Sequence, residues 1–244
     1  MMPRLFSRLL TLSVFFLASP LAGAWELAPY TATYRFNLDN KLSGTATRTL
    51  EKKTGDAWRY VFNATTSMAT ANETSDFRFN GKTVTPLHHQ QQHKVLFISK
   101  REHVNFNWQT RQAQGLRNDK KTQYVLRAGA IDPLSLEIQM RRDLIDLGKP
   151  ASSYFLVDAR RMNEQKFVLD GEEILDTPLG KLATVKVRRV HDDPERETVF
   201  WLARDLDYIP ARVMQNDDGA MYVLDISTYS RSPAEAPGTP AKSP

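Results

Sequence analysis

The feature that most constrains this chain is an alternation of apolar and polar residues with a period of two. In 30–36, aromatic and alanine side chains occupy one set of alternate positions, and Thr and Arg occupy the other. The pattern returns in 58–64, 104–108 and 222–226. Successive side chains of a strand point to opposite faces, so this alternation is typical of half-buried antiparallel strands. The chain is therefore predicted to be mainly β.

Turn residues separate the alternating runs. Clusters of Asp, Asn, Gly and Pro occur at 38–40, 54–56, 80–81, 170–171, 192–194 and 217–219. The runs between such clusters amount to about 10 to 12 strands. A sheet of that size closes into a barrel or a strongly curved half-barrel. We therefore expect a large antiparallel barrel or half-barrel.

One segment, at about 133–147, departs from the period of two. Asp132 followed by Pro133 is typical of a helix N-terminus, and Gly148 supplies a C-terminal stop. At about 100° per residue, the apolar side chains between them cover one broad arc. We expect an inserted amphipathic helix that plugs or covers the concave face of the sheet.

The two ends of the sequence differ in composition from its middle. Residues 1–24 combine two arginines, a short apolar run and a final Ala-Gly-Ala, which is the pattern of a cleaved secretory signal peptide. Residues 230–244 are rich in Pro, Ala and Ser and are expected to form a disordered tail. A single β-rich domain is left at 25–229. We expect it in the periplasm, with no lipid anchor because the chain contains no cysteine.

Charge and hydropathy narrow the choice of partners. The formal net charge is +5, and it falls to +3 without 1–24, which holds two arginines and no acid. Basic residues are interleaved with Asp and Glu, whereas a nucleic-acid surface needs a concentrated basic patch. The apolar run in 1–24 is about half of the ~20 residues that a membrane-spanning helix needs. We expect neither nucleic-acid binding nor a transmembrane segment.

The sequence lacks the familiar motifs of catalysis, metal binding and cofactor binding. It has no cysteine, no Gly-x-Ser-x-Gly, no P-loop and no Gly-x-Gly-x-x-Gly. His88, His89 and His93 form a cluster, but His89 and His93 would lie roughly 13 Å apart on a strand, too far to share zinc. A solvated polar strand is one interpretation of this cluster, and a weak metal contact is the other. Glu172 and Glu173 would point to opposite faces of a strand and could not flank one glycosidic bond. We expect no enzyme activity, metal or cofactor.

The predicted inward faces carry aromatic side chains that suggest an apolar binding site. These side chains are Tyr34, Phe36, Tyr60, Phe62, Phe106 and Trp108. In the helix, Glu137 falls within the apolar arc, and Arg141 follows one turn later, where the two can form an ion pair. One interpretation is a buried salt bridge that seats the helix on the sheet. The other is that Arg141 faces a cavity and holds a carboxylate or phosphate group.

Several short segments of the chain resemble a known family. They are Tyr-Thr-Ala-Thr-Tyr at 30–34, Asp-Pro-Leu-Ser at 132–135, Thr-Pro-Leu-Gly at 177–180, Phe-Trp-Leu-Ala at 200–203 and Tyr-Ile-Pro-Ala-Arg at 208–212. Together they resemble the DUF3108 family of exported bacterial proteins, over nearly the whole predicted mature chain. The resemblance implies an exported, β-rich domain of unknown function from Gram-negative bacteria, and it supplies no catalytic residues.

Three functional hypotheses follow. The first is a periplasmic, non-catalytic module that holds a lipid or other apolar ligand in the concave face of the sheet during envelope maintenance. The second is a filled-core scaffold for outer-membrane or cell-wall assembly, which binds envelope proteins through edge strands and polar faces around Arg48, Arg59 and Arg78. The third and weaker one is an enzyme that acts on envelope glycan. A cavity of roughly several hundred Å³ beneath the helix would favour the first, and dense packing the second.

Overall fold

The computed structural model describes residues 25–39, 41–217 and 219–231, which form fifteen strands and one α-helix. The strands are β1 (Tyr30–Leu38), β2 (Leu42–Lys52), β3 (Ala57–Thr66), β4 (Ala69–Phe79), β5 (Val84–Val95), β6 (Ile98–Asn107), β7 (Gln112–Arg117), β8 (Lys120–Val125), β9 (Ala130–Ile131), β10 (Ser153–Val157), β11 (Met162–Thr177), β12 (Gly180–Val190), β13 (Glu197–Ala203), β14 (Ile209–Asp217) and β15 (Ala220–Arg231). The helix α1 spans Leu136–Leu147, and a 3-10 turn spans Arg204–Leu206. Among the described helices, none is long and apolar enough to cross a membrane.

The two predicted terminal segments lie almost entirely beyond these residues. The predicted signal peptide, 1–24, is outside the described residues, and so are positions 232–244 of the predicted tail. Strand β15 runs to Arg231, so the first two residues assigned to the tail belong to the last strand of the sheet.

All fifteen strands belong to one sheet. Strands β1 to β8 form one meander, in which each strand pairs with the next, and β10 to β15 form a second. The two meanders meet where β1 pairs with β15, from Tyr30 opposite Arg231 to Leu38 opposite Tyr222. The ladders are antiparallel, apart from the short parallel pair of β9 and β10. The prediction of a mainly β fold, with a large antiparallel sheet and one inserted helix, is confirmed.

The sheet has more strands than the 10 to 12 expected from the sequence. A two-residue turn, Leu96 and Phe97, joins β5 to β6 and contains none of the Gly, Asn or Asp residues that mark most hairpin turns. In the sequence this turn therefore reads as part of a continuous apolar run, with no turn residue to separate β5 from β6. Strand β9 has only two residues, too few to show an alternation.

The curled sheet brings its two edges together through side chains. No backbone ladder joins β8 to β9 in the described part of the chain. Instead, the Thr122 hydroxyl donates to the Ala159 carbonyl in the turn between β10 and β11, at 2.6 Å, and the Tyr124 hydroxyl donates to the Asp158 carbonyl. Gly115 lies so close to this turn that a Cβ there would overlap the Ala159 carbonyl. We call this contact of β7 and β8 with the β10–β11 turn the seam; it joins the two edges of the curled sheet.

The helix begins three residues later than the sequence predicts. The Asp132 carboxylate accepts the backbone N–H groups of Leu134 and Ser135, at 3.0 and 2.8 Å. These bonds close a turn, and the regular helix starts only at Leu136. The same carboxylate accepts the Ser75 hydroxyl of β4 at 2.7 Å. Asp132 therefore ties the start of the helix to the sheet rather than capping the helix itself.

The helix ends as predicted and blocks one end of the barrel. Gly148 is in the left-handed region, with φ of 68°, and its N–H donates to the Leu144 carbonyl at 3.0 Å. Gln139 holds the helix to the β4–β5 turn, since it donates to the Lys82 carbonyl and accepts the Val84 N–H. We call the end of the barrel at which the helix and the β4–β5 turn lie the plugged end. The opposite, open end is where the β1–β2, β3–β4, β5–β6 and β14–β15 hairpins turn.

The main core lies between α1 and the concave face of the sheet. Ile138 and Met140 of the helix are fully buried there, together with Tyr30, Tyr60 and Phe77 of the strands. Burial of one such side chain contributes about 1.5–3 kcal/mol. The helix is thus held by its apolar face, as its sequence pattern predicts.

Candidate functional site

A cavity of about 720 Å³ lies between the start of α1 and the concave face of the sheet. Its inner end is formed by Leu134 and Glu137, and its walls come from β1 to β5 and β13 to β15. The apolar wall includes Leu38, Leu42, Phe62, Ala64, Phe200 and Leu224. Met68, Val95 and Leu96 also line it and are each more than half exposed. The cavity therefore reaches solvent at the open end of the barrel, and its volume is that of a small-molecule site.

One guanidinium group lies in the wall of this cavity. Arg48 is flanked on the same face of β2 by Ala46 and Leu50, which are both buried, and its own side chain is only 6% exposed. Its Nη2 donates to Glu137 Oε1 at 2.7 Å. Its Nε and Nη1 are buried and have no hydrogen-bond partner among the described residues. Unused buried donors are costly. Arg48 is therefore a cation in the cavity wall whose hydrogen bonding is incomplete.

The carboxylate of Glu137 is shared between Arg48 and a pair of tyrosines. The Tyr60 hydroxyl donates to Glu137 Oε2 at 2.9 Å, and the hydroxyls of Tyr30 and Tyr60 lie 2.8 Å apart. Burial raises the pKa of Glu137, although the Arg48 cation and the Tyr60 hydrogen bond favour its charged form. Burial, followed by the nearby Glu137, raises the pKa of Tyr60 well above its ordinary value, so this hydroxyl keeps its proton. The network fixes the orientation of Glu137 and, through it, that of Arg48.

Arg141 has a different environment from the one expected. Among the described residues it forms no ion pair with Glu137; its Nε donates to the Asp207 carbonyl at 2.8 Å. Its guanidinium lies 5.8 and 5.3 Å from the ring centres of Trp25 and Tyr30. Its Nη1 is buried without a described partner, but Arg141 is outside the cavity lining. One helical turn, about 5.4 Å, carries it from the level of Glu137 toward the plugged end.

The aromatic side chains predicted for β1 and β3 surround the site in two ways. Phe36 and Phe62 line the cavity directly. Tyr34 and Tyr60 are fully buried beneath it. The rings of Tyr34 and Phe62 lie 5.2 and 5.3 Å from the Arg48 guanidinium carbon, within range of cation–π attraction. These rings therefore help to hold the Arg48 charge in an apolar wall.

Phe106 and Trp108 belong to another part of the molecule. Their rings stack with centres 6.2 Å apart, next to the small apolar cluster at the seam. The Trp108 indole Nε1 donates to the Pro86 carbonyl at 2.6 Å. Neither ring lines the cavity. Both contribute to closure of the barrel.

The histidine cluster is divided between the two faces of β5. A bulge at Leu87 shifts the register of β5 against β4, so that His89 points inward and is buried. This differs from the expected solvated strand. His89 Nε2 lies 2.7 Å from Glu73 Oε1. Burial opposes the charged form of His89, but Asp132 and Glu73 outweigh it, and the pKa of His89 is raised.

The other histidines lie nearer solvent. His88 Nδ1 is 2.8 Å from Asn105 Oδ1, and its ring is 6.1 Å from that of His103 on β6. His93 is exposed at the open end, where it lines the cavity mouth. Across the described residues, no group of three or more His, Cys, Asp or Glu side chains is arranged to hold a metal ion.

The adjacent carboxylates of β11 have different partners. Glu172 forms an ion pair with Arg204, whereas Glu173 accepts the indole N–H of Trp201 at 2.9 Å. Neighbouring strand residues point to opposite faces. The two carboxylates therefore lie on different sides of the sheet.

The expectation that Arg48 lies on a polar surface is wrong. The residue is 5% exposed, while Arg59 and Arg78 are exposed as expected. The signal was present in β2, where threonines alternate with Ala46, Arg48 and Leu50. The period of two places Arg48 on the apolar face. The expectation of a surface position followed from the charge of Arg48 alone.

Comparisons with known proteins agree with this fold. The model of the DUF3108 family, described as a protein of unknown function, matches residues 29–226. The crystal structure of a beta-barrel-like protein of domain of unknown function DUF1849 from Brucella abortus is similar, with a TM-score of 0.58 and 12% sequence identity. That likeness covers 86% of this chain and 100% of the other, and it concerns the fold alone. No curated protein matches the chain. From the extent of the family match, the chain belongs to the DUF3108 family.

Proposed function

We propose that this protein is a periplasmic, non-catalytic binding protein for an amphiphile with an acyl chain and one anionic group. The observation that carries the proposal is the position of Arg48, a buried cation with two unused donors in the wall of an apolar cavity. The acyl chain would lie against Phe62 and Leu224. The Arg48 guanidinium, which lies in the cavity wall, would bind a carboxylate or phosphate oxygen.

The cavity supports this proposal over the filled-core scaffold. Protein interiors are close-packed, and voids larger than a water molecule are few. A volume of about 720 Å³ lies within the usual range for ligand sites, which is about 300–1,000 Å³. A protein that worked only through its outer surface would have no need of such a space.

Titration with matched amphiphiles tests the proposed ligand class. Palmitate should bind to the purified domain, and 1-hexadecanol, which has the same chain length without a charge, should bind about 10- to 100-fold more weakly. This ratio corresponds to about 1.5–3 kcal/mol for hydrogen bonds to a charged group. A palmitoyl lysophospholipid distinguishes a phosphate head group from a carboxylate. If none of the three binds, or if the alcohol binds as tightly as the acid, the proposal fails.

Two variants on one strand test the location of the ligand. Ala64 faces the cavity, so Ala64→Phe should fill it and abolish palmitate binding. The matched control is Thr65→Phe, because Thr65 is exposed on the opposite face of β3. This control should bind palmitate as the unmodified protein does. Equal binding by both variants would place the ligand elsewhere.

Export is tested separately from binding. The chain should be recovered from the periplasmic fraction with Trp25 as its first residue. Purification from that fraction without detergent, followed by native mass spectrometry, should reveal an adduct of lipid mass that is lost on denaturation. Recovery of an unprocessed chain from the cytoplasm would contradict the periplasmic part of the proposal.

A further inference from the structure

The hairpin between β5 and β6 ends in four exposed apolar residues. We call Val95, Leu96, Phe97 and Ile98 the tip; their exposed fractions are 54%, 57%, 99% and 68%. Isolated apolar residues are common on protein surfaces, but a contiguous group is not. The tip forms one rim of the cavity mouth, because Val95 and Leu96 also line the cavity.

Local backbone geometry does not account for these residues. Leu96 has a φ of 52°, in the left-handed region that favours glycine and disfavours bulky side chains. Two-residue hairpin turns favour Asn-Gly, Asp-Gly or Gly-containing pairs. Leu and Phe are therefore unfavourable in this turn for two reasons. They do not suit its backbone geometry, and they leave apolar surface exposed to water. A role outside folding explains why large apolar side chains occupy this turn.

Cationic side chains flank the tip. Lys94, Lys100 and Arg101 are all exposed within three residues of it, and the segment 77–101 contains no Asp or Glu. Lys94 pairs with Ser99 on one face of the hairpin, and Lys100 pairs with His93 on the other. Positive charge therefore lies on both sides of the apolar tip. This arrangement is complementary to a surface with an apolar interior and anionic head groups.

We propose that the tip docks on an anionic lipid bilayer, with Phe97 in the interfacial region and Lys94, Lys100 and Arg101 on the lipid head groups. A protein partner fits less well, because a stable interface needs about 800 Å² on each side, more than four side chains on a narrow turn provide. Docking requires no ligand in the cavity. Docking would bring the cavity mouth to the membrane surface. An acyl chain could then pass directly between the bilayer and the cavity; this consequence rests on the proposed function.

Vesicle sedimentation tests the docking. Vesicles of phosphatidylcholine with about 30% phosphatidylglycerol should bind the protein about tenfold more tightly than vesicles of phosphatidylcholine alone. Phe97→Ser should weaken binding to the anionic vesicles by about tenfold or more. The matched control is Leu179→Ser, in the exposed turn between β11 and β12 at the other end of the barrel. Absence of vesicle binding, or equal loss in both variants, would overturn the docking proposal.

A fluorescent label reports the depth of the tip. The chain has no cysteine, so Phe97→Cys and Leu179→Cys can each carry a single environment-sensitive dye. The dye at 97 should shift to shorter wavelength with anionic vesicles, and the dye at 179 should not. No shift at 97 would refute membrane insertion.

Palmitate titration without vesicles separates the two proposals. Phe97→Ser should retain the palmitate affinity of the unmodified protein, because Phe97 is outside the cavity lining. Vesicle binding without palmitate binding would leave docking intact and refute the proposed function. Palmitate binding without vesicle binding would leave the proposed function intact and refute docking.

Discussion

The ion pair between Arg48 and Glu137 allows a quantitative test of how this fold accommodates charge in its core. The two side chains are 6% and 8% exposed, and Arg48 Nη2 lies 2.7 Å from Glu137 Oε1. Unit charges about 4 Å apart interact by about 4 kcal/mol at an effective dielectric constant of about 20. Breaking a buried pair by removal of one partner costs about 3–5 kcal/mol. We expect Arg48→Met to lower the free energy of unfolding by this amount at about pH 8.

The loss should depend on pH in a defined direction. Burial raises the pKa of Glu137, and Arg48 is the main group that opposes this rise. Removal of Arg48 should therefore raise the pKa of Glu137 further. A carboxyl group with a raised pKa in the folded state contributes stability that is present below its unfolded pKa and is lost as pH rises through the folded pKa. The deficit of Arg48→Met relative to the unmodified protein should shrink from about pH 8 toward about pH 4.5.

Urea unfolding at these two pH values measures the effect. The control is the double variant Arg48→Met/Glu137→Gln, which removes both charges and should recover most of the stability. The coupling energy from the double-mutant cycle should be about 2–3 kcal/mol. A deficit below about 1 kcal/mol at the higher pH would refute the argument that Glu137 depends on Arg48. So would a deficit that does not change with pH.

Three further variants test the seam, the helix end and the buried histidine. Gly115→Ala should destabilise the protein by about 1–3 kcal/mol, because its Cβ would overlap the Ala159 carbonyl; a melting temperature equal to that of the unmodified protein would show that the seam can yield. Gly148→Ala should cost about 1 kcal/mol in urea unfolding because of its φ of 68°, and no loss would contradict the assigned helix end. The raised pKa of His89 means that its contribution to stability is present below its unfolded pKa and is lost as pH rises through the folded pKa. The difference in unfolding free energy between the unmodified protein and His89→Gln should therefore be larger at about pH 6 than at about pH 9, and an unchanged difference would exclude this linkage.

The fold was predictable where local rules agree with the structure. Alternation with a period of two marks a half-buried strand, and the break in that period at α1 is equally clear. The strand count was too low in part because the turn at Leu96 and Phe97 lacks the usual turn residues and because β9 has only two residues. Exceptions of this kind are expected where function competes with local preference.

The site was harder to predict, because alternation gives the face of a strand but not its place in the curled sheet. Phe62 and Phe106 both follow the pattern, yet the first lines the cavity and the second packs near the seam. The partner of Glu137 is Arg48, 89 positions away, rather than the residue one helical turn later. Only the tertiary arrangement brings these two charges together.

The pairing of β1 with β15 has a consequence for how the chain folds. Thr33 and Thr228, whose hydroxyl oxygens lie 2.6 Å apart, are separated by 195 positions, whereas the other ladders join consecutive strands. Closing a loop of this length costs about 4.7 kcal/mol of chain entropy, against about 2 kcal/mol for a loop of ten residues. Each meander can therefore form early by itself, through pairing of consecutive strands. Pairing of β1 with β15, which joins the two meanders, should be the late, slow step. Until it occurs, both intermediates expose an unpaired edge strand, and this interval is when the chain is most open to aggregation.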